Sequence, residues 1–169
     1  FQITMDSVTS TEWLAKLKSA HPSLPYYEPG TVEIDTENLL GEGAVCAAYR
    51  AILPEYVAEA CGVTVGDRVV CARVILDGFD SDLLRDLDVL KDVADLSVPL
   101  YGYTLHVAPV TGLHHLVLLS ALCIHGTLED VAKAASAPMA PLVKADVLLQ
   151  VARGLCKLRR RGIVWRDLK

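Results

Sequence analysis

Leu148-Leu149-Gln150-Val151-Ala152-Arg153-Gly154-Leu155-Cys156-Lys157-Leu158, continuing through Gly162-Ile163-Val164 to Trp165-Arg166-Asp167-Leu168-Lys169, is the stretch on which the fold turns. Behind the Pro138 to Pro141 breaker, Val143 to Arg161 has the length and apolar spacing of the longest helix in the chain. The segment after it sets a carboxylate, Asp167, two residues ahead of an amine, Lys169. Arg-Asp-Leu-Lys taken alone is ordinary surface sequence. It gains meaning from the elements that precede it.

With 169 residues, 52% of them hydrophobic, the chain can bury a substantial core, and no part of it is of low complexity. A net charge of -5 without a basic block argues against nucleic acid as a partner. The longest apolar run, Leu116 to Ile124, is too short to span a bilayer and is broken by Ser120, so no membrane association is expected. Phe1 opens no signal peptide, and the missing initiator Met points to a true N-terminus further upstream. Five cysteines, Cys46, Cys61, Cys71, Cys123 and Cys156, are odd in number and lack C-x-x-C spacing. They read as reduced, mostly buried thiols of an intracellular protein, cytoplasmic or nuclear, and not as a disulfide frame or a zinc site. His114 and His115 read as turn residues and His125 as a surface residue; none has a partner at metal-ligand spacing.

Upstream, Thr9 and Glu12 form a capping-box pattern ahead of Trp13, Leu14 and Leu17, which share a helix face. His21 to Gly30, with three prolines, reads as a linker. Strands are expected over Thr31 to Leu40, Cys46 to Leu53 and Arg68 to Leu76, the last apolar enough to lie inside a sheet. Pro54 to Asp67 is longer than a hairpin needs, and Ala58 to Cys61 reads as a helical turn without a legible purpose. Asp80 to Leu96 places Leu83, Leu84, Leu87, Leu90 and Val93 at helical spacing. Two more strands follow, Pro99 to Val107 and Leu113 to Ser120, joined by a Pro109 to Gly112 turn, and Thr127 with Asp130 opens a short helix.

This order of elements resembles the small lobe of a eukaryotic protein kinase followed by the start of its large lobe, and Leu148 to Lys169 resembles the family's αE helix and the catalytic loop of its serine/threonine type. The resemblance implies an α+β fold: a five-stranded antiparallel sheet with an αC helix, then the hinge and the αD and αE helices of a truncated large lobe. It divides the chain into an extension at 1–30, a small lobe at 31–120, a hinge at 121–126 and the large-lobe start at 127–169. The loop from Leu39 to Ala44, with its N-terminal extension, is also similar to mitotic-checkpoint kinases of the Bub type.

Site residues follow from the same resemblance. Gly41 and Gly43 match the Gly-rich loop over the ATP phosphates, while Cys46 stands for its third glycine and Ala48 for the adenine-capping Val. Val70-Cys71-Ala72-Arg73 matches the Val-Ala-Ile-Lys strand, with Arg73 for the phosphate-gripping Lys and Ala72 taken as a cleft residue. Asp86 falls where the αC Glu pairs with that Lys, so a longer cation and a shorter anion are expected to keep the salt bridge, with Asp88 as the rival partner. Ser120 would be the gatekeeper, and Ala121 and Cys123 would offer hinge backbone groups to adenine. Asp167 corresponds to the catalytic base and Lys169 to its phosphate-neutralising companion, whereas Trp165 replaces the family's His. The family's Mg²⁺ ligands would lie past Lys169, so no metal-binding residue is assigned and Mg²⁺ is not supported by this chain.

Two functions are therefore implied. In one, the chain is a degenerate, pseudokinase regulatory or scaffolding module that binds ATP weakly or not at all; Cys46, Arg73, Asp86 and Trp165 point there. In the other, it is part of an active serine/threonine kinase that transfers the ATP γ-phosphate to a protein hydroxyl. Either way, an amphipathic αE helix without large-lobe neighbours exposes an apolar face, which a protein partner or the rest of the lobe should cover.

Overall fold

A computed structural model of the chain describes residues 7–64, 68–76, 81–108, 112–135 and 138–165, without the side chains of 7–11 and 81–83. The chain divides into two compact units, residues 1–122 and 123–169. The first is built on a five-stranded antiparallel sheet of order β1-β2-β3-β5-β4, formed by β1 (Glu33–Glu42), β2 (Cys46–Ile52), β3 (Val69–Ile75), β4 (Leu100–Val107) and β5 (His114–Ala121). Its helices are α1 (Ser7–Ala20), α2 (Glu55–Ala60) and α3 (Ser81–Asp92). The expected α+β class with a five-stranded antiparallel sheet is thus borne out. The second unit holds α4 (Leu128–Ala134) and α5 (Pro141–Arg160).

Strand alternation assigns each face of the sheet its own core. On one face Val70, Ala72 and Val74 of β3 and Val117 and Leu119 of β5 pack under Leu53, Val57 and Ala58. The Pro54 to Asp67 connection therefore has a function that sequence reading did not supply: α2 roofs this face. On the other face Leu116 and Leu118 of β5 and Tyr103 and Leu105 of β4 pack against Leu87 of α3 and Leu17 of α1. Full burial of one such Leu contributes about 1.5–3 kcal/mol. α1 already runs from Ser7, so Thr9 lies inside the helix and does not cap it.

Residues 21–30 are more than a tether. β4 is an edge strand, with unpaired backbone groups that an edge must cover. Tyr103 donates its N–H to the Pro25 carbonyl and accepts from the Tyr27 N–H, both at 2.9 Å, so the linker pairs along that edge. The Tyr27 hydroxyl adds a 3.0 Å bond to the Tyr101 carbonyl and lies 3.2 Å from Cys61 Sγ; burial and Cys61 push its pKa well up. Gly102 makes this approach feasible at a β-bulge, with φ +147° and the Pro25 carbonyl oxygen 2.5 Å from where a Cβ would stand.

His114 and His115 belong to β5 and not to a turn; the His115 Nδ1 lies 3.1 Å from the Ile75 carbonyl. Nor are the cysteines mostly buried. Cys46, Cys61 and Cys71 are half-buried, Cys123 and Cys156 are exposed, and none of the five is in a disulfide.

In the second unit the expected start at Thr127 is present as a full capping box. The Asp130 N–H donates to Thr127 Oγ1 at 3.1 Å, and Thr127 donates its N–H (2.8 Å) and its hydroxyl (2.6 Å) to Asp130 Oδ2. These bonds hold the Asp130 pKa below the usual aspartate value. A group with a depressed folded-state pKa stabilises above its unfolded pKa, and that stabilisation is lost as pH falls through the folded value. We expect carbon-13 NMR to place the Asp130 midpoint below that of a free aspartate, with Thr127→Ala moving it upward; an unmoved midpoint would contradict the box. At its far end α5 closes through Gly162 at φ +76°, whose N–H donates to the Arg159 carbonyl while Ile163 donates to Leu158, both at 3.0 Å.

Candidate nucleotide-binding face

The β1–β2 hairpin carries the two glycines. β1 continues through Glu42, with Gly41 opposite Ala48, and the Gly43 N–H donates to the Cys46 carbonyl at 2.8 Å to close the turn. Neither glycine has a positive φ. A Cβ at Gly41 would meet nothing within 4 Å, and one at Gly43 only the Cys46 carbonyl at 3.7 Å. Hairpin geometry therefore does not demand glycine at either position. What their bare, exposed backbone offers is close approach from outside the fold.

Register fixes the rest of the face. Ala48 pairs with Arg73, Arg73 with Leu118, and Cys71 with Ser120, so Ala48, Cys71, Arg73 and Ser120 project from the side of the sheet that α3 covers. Ser120 is buried, while Ala48, Cys71 and Arg73 are half-buried. Ala72 does not belong with them. It is fully buried in the opposite core beneath Val57 and Ala58, because successive strand residues face opposite ways, and it cannot touch anything bound beside Arg73. Cys71 occupies that place instead. Alternation counted back from Arg73 would have found it in the sequence.

The expected salt bridge is not formed. Among the described residues no ion pair joins Arg73 to Asp86; Asp88 of α3 has its Oδ1 3.8 Å from His21 Nδ1. Helical geometry accounts for this. Leu87 points into the core, and the 100° step to each neighbour turns Asp86 to solvent and Asp88 toward the linker. We expect Asp86→Ala to change unfolding free energy by less than about 0.5 kcal/mol, and Arg73→Ala and Asp86→Ala to add within about 0.5 kcal/mol in urea titrations. Coupling above about 1 kcal/mol would mean that the two residues meet in solution.

At the end of β5 the Ala121 N–H donates to the Pro99 carbonyl at 2.9 Å and is occupied. The Cys123 carbonyl accepts from Gly126 at 3.0 Å, and among the described residues no backbone hydrogen bond takes up the Cys123 N–H. Cys123 is the first residue of the second unit, and Cys46 lies half-buried at the start of β2. Asp167 and Lys169 lie outside the described residues; Trp165, just before them, is exposed. Among the described residues no cluster of three or more His, Cys, Asp or Glu could hold a metal, and no helix is long and apolar enough to cross a membrane.

Chemically, the face offers one cation beside small side chains and bare glycine backbone, a set suited to a flat ring and an anionic tail. Two clefts of the first unit lie elsewhere. One, of about 370 Å³, opens between Val32, Ile34, Thr104 and His106, and the other, of about 160 Å³, between the linker and α3. Burial and the neighbouring His115 lower the His106 pKa. Searches with protein-family models and against curated proteins return no match to this chain.

Proposed function

We propose that this chain is a protein-kinase-like module of serine/threonine type, degenerate at its phosphate-binding positions, which acts through its surfaces and binds ATP weakly or not at all. The observation that carries this reading is the shared sheet face of Ala48, Cys71, Arg73 and Ser120, beside a hairpin whose two glycines serve no local need. A nucleotide would lay its base against Ala48, Cys71 and Ser120 and its phosphates toward Arg73 and the Gly41–Gly43 backbone. Among the described residues Arg73 lacks a carboxylate partner on α3, which favours the degenerate reading over the active kinase.

The surface that would act is α5. Leu142, Val143, Leu148 and Leu149 are exposed, and Leu158 is the buried apolar residue of this helix. Exposed apolar side chains in this number mark a helix that another protein surface, or the remainder of a large lobe, covers.

Thermal unfolding of the chain with ATP and Mg²⁺ tests the nucleotide reading. At 1 mM nucleotide and a Kd no tighter than about 1 mM, stabilisation is at most about 0.4 kcal/mol, a rise of about 2 °C or less. A rise of many degrees would replace this reading with that of a working nucleotide site.

A further inference from the structure

The larger cleft of the first unit lies between the two edges of its sheet. β1 and β4 are the outermost strands, and Pro29, Gly30, Val32 and Ile34 on one side and Thr104 to Val107 on the other line a volume of about 370 Å³. Hydrogen-bond parity turns strand backbone toward it. Tyr103 spends both of its backbone groups on the linker, so Leu105 and Val107 turn theirs away from β5 as well, while those of Thr104 and His106 face β5. Across the cleft, Leu53 donates its N–H to the Arg68 carbonyl, which commits Ala51 to β3 and Ile52 to Glu33 of β1. Ile34 therefore faces outward too. Among the described residues no hydrogen bond takes up the outward N–H and C=O groups of Leu105, Val107 or Ile34.

The linker shows why this stretch is left over. It pairs in parallel with β4 at Tyr26, then leaves in a turn over Glu28 to Thr31, where Thr31 donates to the Glu28 carbonyl and Gly30 takes φ +84°. Its pairing stops just short of Leu105.

We infer that this cleft binds an extended, uncharged peptide segment of another protein, which continues the linker's pairing along β4 through the Leu105 and Val107 backbone. An unpaired edge is a template for a further strand, and adding one is a recurrent mode of peptide recognition. Thr104 to Val107 span about 10 Å, which matches three or four residues of strand. The edge is recessed at Leu105, 8% exposed, and open at Val107, 41% exposed. A second copy of this chain presents no matching strand, because its own β4 is under the linker at Tyr103 and recessed at Leu105. Side-chain chemistry selects against charge. Val32, Ile34, Leu105 and Val107 are apolar, Thr104 is uncharged, and burial with the neighbouring His115 lowers the His106 pKa, which keeps that imidazole neutral at neutral pH. A charged peptide side chain would find no counter-ion among these residues, whereas valine and threonine suit an extended backbone. The assignment does not depend on the nucleotide reading.

Nuclear magnetic resonance on the full chain, titrated with an end-blocked pentapeptide of alternating valine and threonine, tests this. In the free chain the Leu105 and Val107 amides should exchange with solvent about tenfold or more faster than those of Thr104 and His106, and saturating peptide should slow them by about tenfold or more. Two N-methylated peptides, one blocked at its valine amides and one at its threonine amides, separate strand pairing from apolar adhesion. At least one should bind about tenfold weaker than the parent, because it has lost the donors that face β4. Val107→Pro removes a donor that β5 does not use, so it should abolish peptide binding with little change in melting temperature; the peptide comparison on the unaltered chain stands even where that variant fails to fold. No saturation, shifts confined to residues away from the cleft, or undiminished affinity of both N-methylated forms would each overturn the assignment. Protection of Leu105 and Val107 that rises with protein concentration alone would overturn it in favour of pairing between copies.

Discussion

Gly102→Ala is expected to destabilise the first unit by about 3–5 kcal/mol, lowering its melting temperature by roughly 10 °C. Two penalties combine. A backbone at φ +147° strains any residue with a Cβ, and the new methyl would stand 2.5 Å from the Pro25 carbonyl oxygen and 2.6 Å from Tyr27 Cε2. The oxygen belongs to a backbone that is itself hydrogen-bonded to Tyr103, so it cannot retreat without breaking the edge pairing. Gly62→Ala is the control: its φ is +68° and a Cβ there meets nothing within 4 Å. That variant should lose only about 1 kcal/mol, from strain. Calorimetric melting of both separates the terms. Similar losses would mean that the linker is not seated on β4.

Leu17→Ala should cost as much as Leu87→Ala, about 2–5 kcal/mol each. The two residues are 1% and 2% exposed and belong to one cluster with Tyr103, Leu105, Leu116 and Leu118. The first thirty residues read as an extension to a lobe that begins at Thr31, and an appended helix would tolerate Leu17→Ala at little cost. The structure makes it a wall of the core instead. Because both truncations open space in one cluster, their effects should be non-additive by about 0.5 kcal/mol or more. Urea unfolding of the two single variants and the double variant decides this; a Leu17→Ala loss under about 1 kcal/mol would show α1 to be dispensable.

Of the candidate site, the sequence displayed the residue types but not all of their directions. Arg73, Ala48 and Ser120 follow from motif positions of the kinase resemblance, and the register does set them on one side. Motif position also puts Ala72 in the cleft, against the period-two rule that turns it to the opposite face. The Arg73 and Asp86 pair rests on the resemblance to the family's Lys and αC Glu, with a longer cation offsetting a shorter anion. Whether a helix carboxylate reaches a strand depends on how the helix is rotated, and Leu87 anchors that rotation with Asp86 outward.

Local chemistry explains what could be read directly. β3 announces itself by Val69-Val70-Cys71-Ala72-Arg73-Val74-Ile75, α3 by leucines at helical spacing, α4 by Thr127 and Asp130, and the end of α5 by Gly162, because each depends on neighbours within about five residues. The seating of Pro25 to Tyr27 on the β4 edge, the roofing of one sheet face by α2, the place of His114 and His115 in β5 and the pairing of Asp88 with His21 were decided only in three dimensions. Each joins segments far apart in the chain. Such contacts are chosen by which apolar surfaces must be covered and which edge hydrogen bonds must be satisfied, and no short window of sequence contains both partners.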